Sequence, residues 1–353
     1  MNTIDIDGSF GEGGGQILRT ALSLSCITGI PFRLFNIRKG RKKPGLMPQH
    51  ITCVNAVTDI SNATVSDCRK GSTALLFTPG KINPGSYTFD IKTAGSTSLV
   101  FQTILPPLLF ADGPSHITIL GGTHVPFSPS YHYISEVFIP ALNKLGIKIE
   151  PSIVKYGFYP KGGGEVSFKI LPAGEIKSLN AASKETLVNV SGYTGVSRLP
   201  LTIAEREKNS LLKALHPLSA EIQIMDVSSP GEGTFVFLKG EYENTLCGFS
   251  SLGERGKPAE RVGKEAAEEF MHFHNSPACL DPHLSDQILI YLSLSNENSS
   301  FTTSCITQHL LTNIWVIEKF LKVAFKVEGD LNMEGKVNIR RFFGQHMVKK
   351  EDI

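Results

Sequence analysis

Apolar residues recur along this chain with two periods, and their succession predicts one order of elements that is used three times. Segments with a period of two are typical of half-buried strands, whereas apolar residues three and four positions apart are typical of helices. The order strand, helix, strand, helix, strand, strand is predicted for residues 3–78 and again for residues 87–170. A third copy follows at 284–340, with an unclear opening strand. Self-similarity on this scale indicates structural repeats.

Two helices are predicted in each copy. Their predicted ranges are 16–28, 49–61, 99–111, 131–145, 284–295 and 307–321. Between the second and third copies, residues 184–276 contain two further helices (203–215 and 258–274) and three strands (187–191, 221–227 and 233–242). This arrangement predicts an α+β protein in which residues 1–183 and 277–353 form a large domain and residues 184–276 form a small inserted α/β domain.

Composition and length agree with a folded protein of one large and one smaller domain. The chain has 353 residues, and its 41% hydrophobic and 19% charged content excludes a disordered chain. Six scattered cysteines form no C-x-x-C pair, so neither a disulfide framework nor a zinc site is indicated. There is no signal-peptide pattern, and no apolar run approaches the roughly 18 residues of a membrane span. We therefore expect a cytoplasmic protein with no membrane partner.

The distribution of charged residues along the chain is more informative than the net charge. The net charge is only +2, but five of the six residues from Arg38 to Lys43 are basic. Gly40 and the following Pro44-Gly45 predict that this stretch is a loop. A solvated basic loop and a phosphate-binding loop both fit this pattern.

Glycine-rich segments precede the first helix of copies one and two, at residues 11–16 and 94–98. The glycines fit either a tight strand-to-helix turn or backbone N–H groups that face an anion. The first segment lacks the Lys-Ser/Thr ending of a Walker A motif and the spacing of a dinucleotide fingerprint. Glu12 instead places a carboxylate that can hold Mg²⁺ against phosphate oxygens, and Arg19, one turn into the helix, can meet the same anion.

Among ten histidines, His309 is the most suggestive because it is predicted in the first turn of a helix directly after a strand, with Thr307 as a helix cap. A structural or surface role and a role as neutral base or nucleophile are both open. His50, His124 and His132 are predicted near the same cleft, the last two in solvent-exposed loops. His272 and His274 cannot share a helix face, so they do not indicate a metal site.

Four motifs together resemble the RNA 3'-terminal phosphate cyclase family, and the resemblance spans nearly the whole chain. The motifs are Asp7-Gly-Ser-Phe-Gly-Glu-Gly-Gly-Gly-Gln-Ile-Leu-Arg19, Arg38-Lys-Gly-Arg-Lys-Lys-Pro-Gly-Leu46, Gly157-Phe-Tyr-Pro-Lys-Gly-Gly-Gly164 and His309-Leu-Leu-Thr-Asn313. The family fold comprises three repeats of two helices on a four-stranded sheet, related to those of EPSP synthase, with a small α/β domain inserted in the third. The resemblance thus implies the same architecture as the apolar pattern.

The resemblance also implies a reaction, the ATP-dependent conversion of an RNA 3'-terminal phosphate to a 2',3'-cyclic phosphate. In the implied mechanism His309 attacks the α-phosphate of ATP and forms a histidine-bound AMP. AMP then passes to the RNA 3'-phosphate, and the neighbouring 2'-OH closes the ring. ATP is the co-substrate, Mg²⁺ or Mn²⁺ the metal cofactor, and RNA with a 3'-terminal phosphate the partner. The sequence predicts no oligomeric state.

Residue roles follow by matching positions to the family. Glu12 is expected to bind the metal, and Glu12, Arg19 and Asp286 to support His309. Residues expected to bind triphosphate or the RNA terminal phosphate are Arg19, Arg38, Arg41, Gln49 and Gln102. Pro129 and Tyr133 match positions that pack against adenine. His283 stands where relatives often present an aromatic ring, and His124 stands where an acidic residue is common, so nucleotide preference is left open.

Two other functions are compatible with the fold. A non-catalytic relative can act as a ribosome-biogenesis factor that keeps the fold without the nucleophile, and the presence of His309 argues against it. A transferase of small carboxylates like EPSP synthase shares the repeats, but it does not explain the His309 motif or the single insertion.

Overall fold

The first four-stranded sheet forms from the first quarter of the chain. The computed structural model describes residues 3–342. The strands are β1 (Ile4–Asp7), β2 (Phe32–Phe35), β3 (Thr64–Ser66) and β4 (Leu75–Thr78), in the order β1-β2-β4-β3. Helix α1 (Gly15–Thr28) connects β1 to β2, which run parallel, and helix α2 (Pro48–Ser61) connects β2 to β3. Gly29 and Asn62 end these helices in the left-handed conformation, as is common at helix C-termini.

The second repeat has the same topology. Its strands are β5 (Ser86–Asp90), β6 (Ser115–Gly121), β7 (Ile149–Lys155) and β8 (Gly164–Ile170), in the order β5-β6-β8-β7. Helix α3 (Thr97–Leu108) joins the parallel pair. The second connection begins as α4 (Tyr131–Tyr133), widens into a π-helical stretch at Ile134–Phe138 and continues as α5 (Ile139–Lys144). The helix predicted for 131–145 is therefore present, but not as a regular α-helix.

The third repeat opens with β9 (Asn180–Ala181), which has too few residues to show a period in the sequence. The chain then builds a separate sheet before it returns. Its strands are β10 (Leu187–Ser197), β11 (Glu221–Asp226), β12 (Gly233–Tyr242) and β13 (Leu246–Leu252), in the order β11-β10-β12-β13. Helices α6 (Leu201–Leu215) and α7 (Ala259–Asn275) pack together on this sheet. Strand β13 was not predicted, because glycine and serine interrupt its apolar pattern.

After this sheet the chain completes the third repeat. The remaining elements are α8 (Pro282–Gln287), α9 (Leu289–Leu294), β14 (Ser299–Thr303), α10 (Gln308–Phe320), β15 (Val323–Glu328) and β16 (Gly335–Arg341). The sheet order β9-β14-β16-β15 repeats that of the first two sheets, with β9 and β14 parallel. The prediction of three repeats is confirmed. The helix predicted for 284–295 is present as two short helices, α8 and α9, which are separated at Ile288 although that residue keeps right-handed helical dihedral angles.

Successive side chains of β12 point to opposite faces, so the sheet β10–β13 contacts two hydrophobic cores. Phe235 and Phe237 point to the large core shared by the three repeats, whereas Val236 and Leu238 belong to the core under α6 and α7. On the helical side of the repeats, α1 packs against α2, α3 and α10. Within residues 3–342, no helix is long and apolar enough to cross a membrane.

Candidate active site

The first turns of α1 and α10 meet, and this meeting point holds His309. Thr307 caps α10 by accepting a hydrogen bond from the Leu310 N–H at 3.0 Å, as predicted. The glycine-rich loop before α1 lies directly on α10. A Cβ on Gly11 would stand 2.4 Å from Thr312 Oγ1, and the residue has a φ of +57°. The tight turn and the close approach therefore both require glycine here.

Gln16 determines which nitrogen of the His309 ring carries the proton. The Gln16 amide N–H donates to the backbone carbonyl of His309 at 3.2 Å, which leaves Gln16 Oε1 facing His309 Nδ1 at 2.5 Å. Because Oε1 can only accept, Nδ1 must be the protonated nitrogen. The lone pair of the neutral ring therefore lies on Nε2, which is 3.1 Å from Glu12 Oε2. The two atoms are at hydrogen-bonding distance, so a proton between them would satisfy both acceptors.

The surroundings of His309 favour the neutral ring. Burial lowers the pKa of His309, and the positive charges of Arg19 and Arg41 lower it further, while Glu12 raises it. The side chain is still 46% exposed and lines the cavity, so the ring is open to a ligand bound there. The site thus presents an uncharged imidazole with an accessible lone pair, which is the state required of a nucleophile.

Two guanidinium groups flank this histidine. Arg41 Nη2 lies 3.4 Å from Glu12 Oε2. Arg19 lies one turn after Gln16, and burial lowers its pKa, with Asp286 acting in the opposite direction. Within residues 3–342, no carboxylate oxygen lies within ion-pair distance of Arg19. A partly buried cation without a close anion provides a site for a phosphate group.

A cavity of about 420 Å³ opens beside His309, which is within the size range of small-molecule sites. Seven of the predicted site residues line it, namely Arg19, Gln102, Pro129, Tyr133, His283, Asp286 and His309. The other four do not line it, namely Glu12, Arg38, Arg41 and Gln49. Glu12 and Arg41 nevertheless belong to the mouth of the cavity through their contacts with each other and with His309.

The inner wall of the cavity is built around two aspartates of the third repeat. Asp281 caps α8 by accepting from the His283 and Leu284 N–H groups, each at 2.8 Å, and accepts the Tyr133 hydroxyl at 3.1 Å. The Tyr133 ring lies perpendicular to His283, with centroids 6.0 Å apart. Burial and Asp281 raise the pKa of Asp286 well above its usual range, and Arg19 counteracts them. Tyr133 and His283 together form an aromatic wall that can contact a flat ring.

Arg38 and Gln49 hold loops in place. Arg38 Nη1 donates to the Lys43 carbonyl at 2.7 Å and to the Gly45 carbonyl at 3.2 Å, so it shapes the basic loop of residues 38–43. Gln49 Oε1 accepts from the Ser96 N–H at 3.0 Å and thereby ties the first repeat to the glycine segment of the second.

Three further residues belong to the site although no sequence pattern assigned them to it, namely Gln16, Gln287 and Asn313. Gln102 donates to Gln287 at 2.6 Å, and Asn313 links α10 to the Asp286 carbonyl at 2.9 Å. Gln16 and His309 are 293 residues apart. No local pattern signals such a pair, although both residues stand in the first turn of a helix that follows a strand.

The expectation that His124 and His132 are exposed is wrong. They are 1% and 5% exposed, and His124 Nε2 lies 3.0 Å from His132 Nδ1 within a cluster that includes Phe235. Burial lowers the pKa of His132 to about 3. Phe235 of the sheet β10–β13 packs on both rings, and the sequence did not reveal that packing. His50 is also buried, and its Nδ1 accepts from the Met47 N–H at 3.1 Å.

No group of three or more His, Cys, Asp or Glu side chains arranged to hold a metal ion occurs within residues 3–342. Glu12 is therefore the candidate for a cation shared with a bound anion. Magnesium commonly binds proteins through one or two carboxylates together with substrate phosphates and water. A single carboxylate at the mouth fits that mode of binding.

Comparison with known proteins identifies close relatives over almost the full length. A profile of the family described as RNA 3'-terminal phosphate cyclase matches residues 10–327. A Pyrococcus furiosus protein of that name is 42% identical over 340 residues, covering 96% of this chain and 99% of the relative. One from Archaeoglobus fulgidus is 43% identical over 329 residues, covering 93% and 98%. One from Methylococcus capsulatus is 42% identical over 332 residues, covering 91% of each.

Proposed function

The chain belongs to the RNA 3'-terminal phosphate cyclase family, and on that premise we propose that it uses ATP to convert an RNA 3'-terminal phosphate to a 2',3'-cyclic phosphate. The observation that carries the proposal is the orientation of His309. Gln16 holds the Nδ1 proton, so the lone pair on Nε2 faces the cavity mouth beside Glu12 and Arg41.

The first step is attack of His309 Nε2 on the α-phosphorus of ATP. The Nε2–P bond forms, the bond to pyrophosphate breaks, and AMP stays on the ring. The ring gains positive charge as the bond forms, and Gln16 Oε1 stabilises it by accepting from Nδ1–H. This role resembles that of an acceptor that orients a catalytic imidazole and stabilises its charged form.

The charged residues of the mouth act on the phosphates. Arg19 and Arg41 neutralise negative charge that develops on phosphoryl oxygens, as positioned cations do in phosphoryl transfer. Glu12 would hold Mg²⁺ or Mn²⁺, which when bound neutralises the triphosphate charge. Gln102 lines the cavity as a further hydrogen-bonding partner for phosphate, while Arg38 and Gln49 support the loops from which the phosphates are reached.

The RNA 3'-terminal phosphate then takes part in two successive steps at this site. An oxygen of its 3'-phosphate attacks the AMP phosphorus, the Nε2–P bond breaks, and the lone pair returns to His309. The 2'-OH then attacks the terminal phosphorus, its proton passes to water, and the bond from that phosphorus to the AMP oxygen breaks, so that AMP leaves. Adenine is proposed to lie against Pro129, Tyr133 and His283. Asp286 is proposed to support the site from the inner wall through its electrostatic interaction with Arg19.

We further propose that residues 184–276 form the inserted domain and that residues 1–183 with 277–353 form the catalytic domain. Support comes from the separate sheet β10–β13 and its own core beneath α6 and α7. Residues 343–353 of the catalytic domain lie outside the described residues.

The alternative of a non-catalytic ribosome-biogenesis factor is tested by the same chemistry. After incubation with ATP and Mg²⁺ or Mn²⁺, intact mass spectrometry is expected to detect one AMP on the wild type, none on His309→Ala, and one on the control His272→Ala, whose histidine is exposed on α7. An unmodified wild type, or an undiminished adduct on His309→Ala, would overturn the proposed mechanism.

A further inference from the structure

A stacked aromatic pair with a lysine lies next to the mouth of the site and has no role in the proposed chemistry. Phe10 and Trp315 stack with ring centroids 4.1 Å apart and planes 9° apart. Lys319 Nζ lies 4.3 Å from the centre of the Trp315 ring. Trp315 and Lys319 are four residues apart on α10 and therefore share one face of the helix. We call these three residues the α10 aromatic surface.

Phe10 is the residue of this surface that a ligand can contact. One face of its ring lies on Trp315, yet the residue is 40% exposed, so part of its surface is left for a ligand. Isolated exposed aromatic residues are common on proteins, but this ring is stacked on a second ring that itself contacts a cation. A fixed flat surface loses little conformational entropy when a second flat group stacks on it.

The surface is also close to the reacting groups. Phe10 is two residues before Glu12 in the same turn, so their Cα atoms lie within about 8 Å. The turn is fixed by the Gly13 N–H, which donates to the Phe10 carbonyl at 2.9 Å. Glu12 in turn contacts His309 Nε2 and Arg41 of the basic loop. A chain whose end reacts at His309 would therefore pass beside Phe10 within a nucleotide or two.

From this juxtaposition we infer that the α10 aromatic surface binds the unpaired nucleotides immediately upstream of the RNA 3'-terminal phosphate. A base stacks on the outer face of Phe10, Trp315 supports that ring from behind, and Lys319 with the basic loop binds the phosphodiester backbone. Exposed aromatic rings beside cations are the usual means of binding single-stranded nucleic acid without reading its sequence. The inference rests on the proposed function and adds to it a requirement for an unpaired 3' end.

The test combines a protein change with an RNA change. Cyclisation is measured with single-stranded 3'-phosphorylated RNA, either intact or with a base removed at each of the nucleotides nearest the 3' end in turn. Phe10→Ala should raise the KM for intact RNA about tenfold, within the usual range for loss of one base–aromatic stack. Base removal at one position should raise the wild-type KM similarly and have little further effect on Phe10→Ala.

Three controls separate stacking from damage to the fold. Phe10→Tyr should keep the wild-type KM, because it keeps the ring. Phe110→Ala removes a phenylalanine of similar exposure (45%) just beyond α3 and should change nothing. Lys319→Ala should reduce the salt dependence of KM. The rate of AMP transfer from ATP to the protein should be the same in all four variants.

Each remaining outcome counts against the inference. If the wild type forms no AMP adduct, the proposed function fails and the inference fails with it. If the adduct forms but KM does not respond to Phe10→Ala, or responds equally with and without the base, only the inference is overturned. A change of molecular mass in solution on Phe10→Ala with an unchanged KM would assign the surface to contacts between copies of the chain.

Discussion

Two histidine sites in this molecule share their residue type and their lowered pKa but differ in what their ring nitrogens face. In the His124–His132 pair, the nitrogens contact Thr123, each other and the Tyr156 hydroxyl, at 2.9, 3.0 and 3.4 Å. At His309, one nitrogen contacts Gln16 and the other meets a carboxylate at an open cavity mouth. Burial lowers the pKa of all three rings. A lowered pKa therefore does not identify the nucleophile, whereas an accessible lone pair does.

The largest effect is expected from Glu12, whose carboxylate faces the lone pair on His309 Nε2. Glu12→Gln removes the carboxylate proposed to hold the divalent cation against the triphosphate and should slow AMP transfer from ATP to His309 at least about a hundredfold, the scale of losing one electrostatic contact to a transition state. Single-turnover adduct formation at saturating ATP measures it. Glu268→Gln, on the exposed face of α7, is the matched control. A loss of less than threefold would show that the carboxylate is dispensable.

The second largest effect on AMP transfer is expected from Gln16, which fixes the tautomer of His309. Gln16→Leu removes the acceptor of the Nδ1 proton and should slow adduct formation about 10- to 100-fold, because the ring is then free to adopt the unreactive tautomer. Gln16→Glu keeps an acceptor and should lose less than Gln16→Leu. Equal rates for the two variants would contradict a role for Gln16 in fixing the proton.

A third substitution, in the buried His124–His132 pair, tests whether this pair differs from His309 in function. His132→Phe keeps the ring packing but leaves His124 Nε2 without its partner, which should cost about 1–3 kcal/mol of stability. Adduct formation in the folded variant should stay within about twofold of the wild type, because the pair holds no accessible lone pair. Thermal unfolding and the single-turnover rate, measured on one preparation, check both parts. A large loss of rate in a folded, stable variant would erase the distinction between the two sites.

The smallest effect on AMP transfer is expected from the inserted sheet and its helices, where Glu207 is buried. Burial raises its pKa from 4.5 to about 8, and the Thr234 hydroxyl lies 2.7 Å from both carboxylate oxygens. The folded state thus keeps a proton that the unfolded state loses, so stability should fall as pH rises from about 4.5 to about 8. Glu207→Gln should flatten this part of the profile of melting temperature against pH. An unchanged slope would mean that Glu207 is ionised in the folded protein.

Local patterns predicted much of the fold and one part of the site. Helical periodicity and the Thr307 cap located the first turn of α10, and the recurring element order predicted the three repeats. Periodicity could not detect β9, which has two residues, or divide α8 from α9. The burial of His124 and His132 depends on a sheet formed by residues far along the chain. The Gln16–His309 contact likewise depends on how α1 and α10 pack, which no local pattern records.

The central claim is that His309 is neutral with its proton on Nδ1, and nitrogen NMR of histidine-labelled protein tests it most directly. At neutral pH without ATP, we expect the His309 Nδ1 resonance to be of the protonated type and the Nε2 resonance to be of the unprotonated type. His309→Ala assigns the signals. Gln16→Leu should shift both resonances towards the average of the two tautomers. A proton on Nε2, or on both nitrogens, in the wild type would contradict the account.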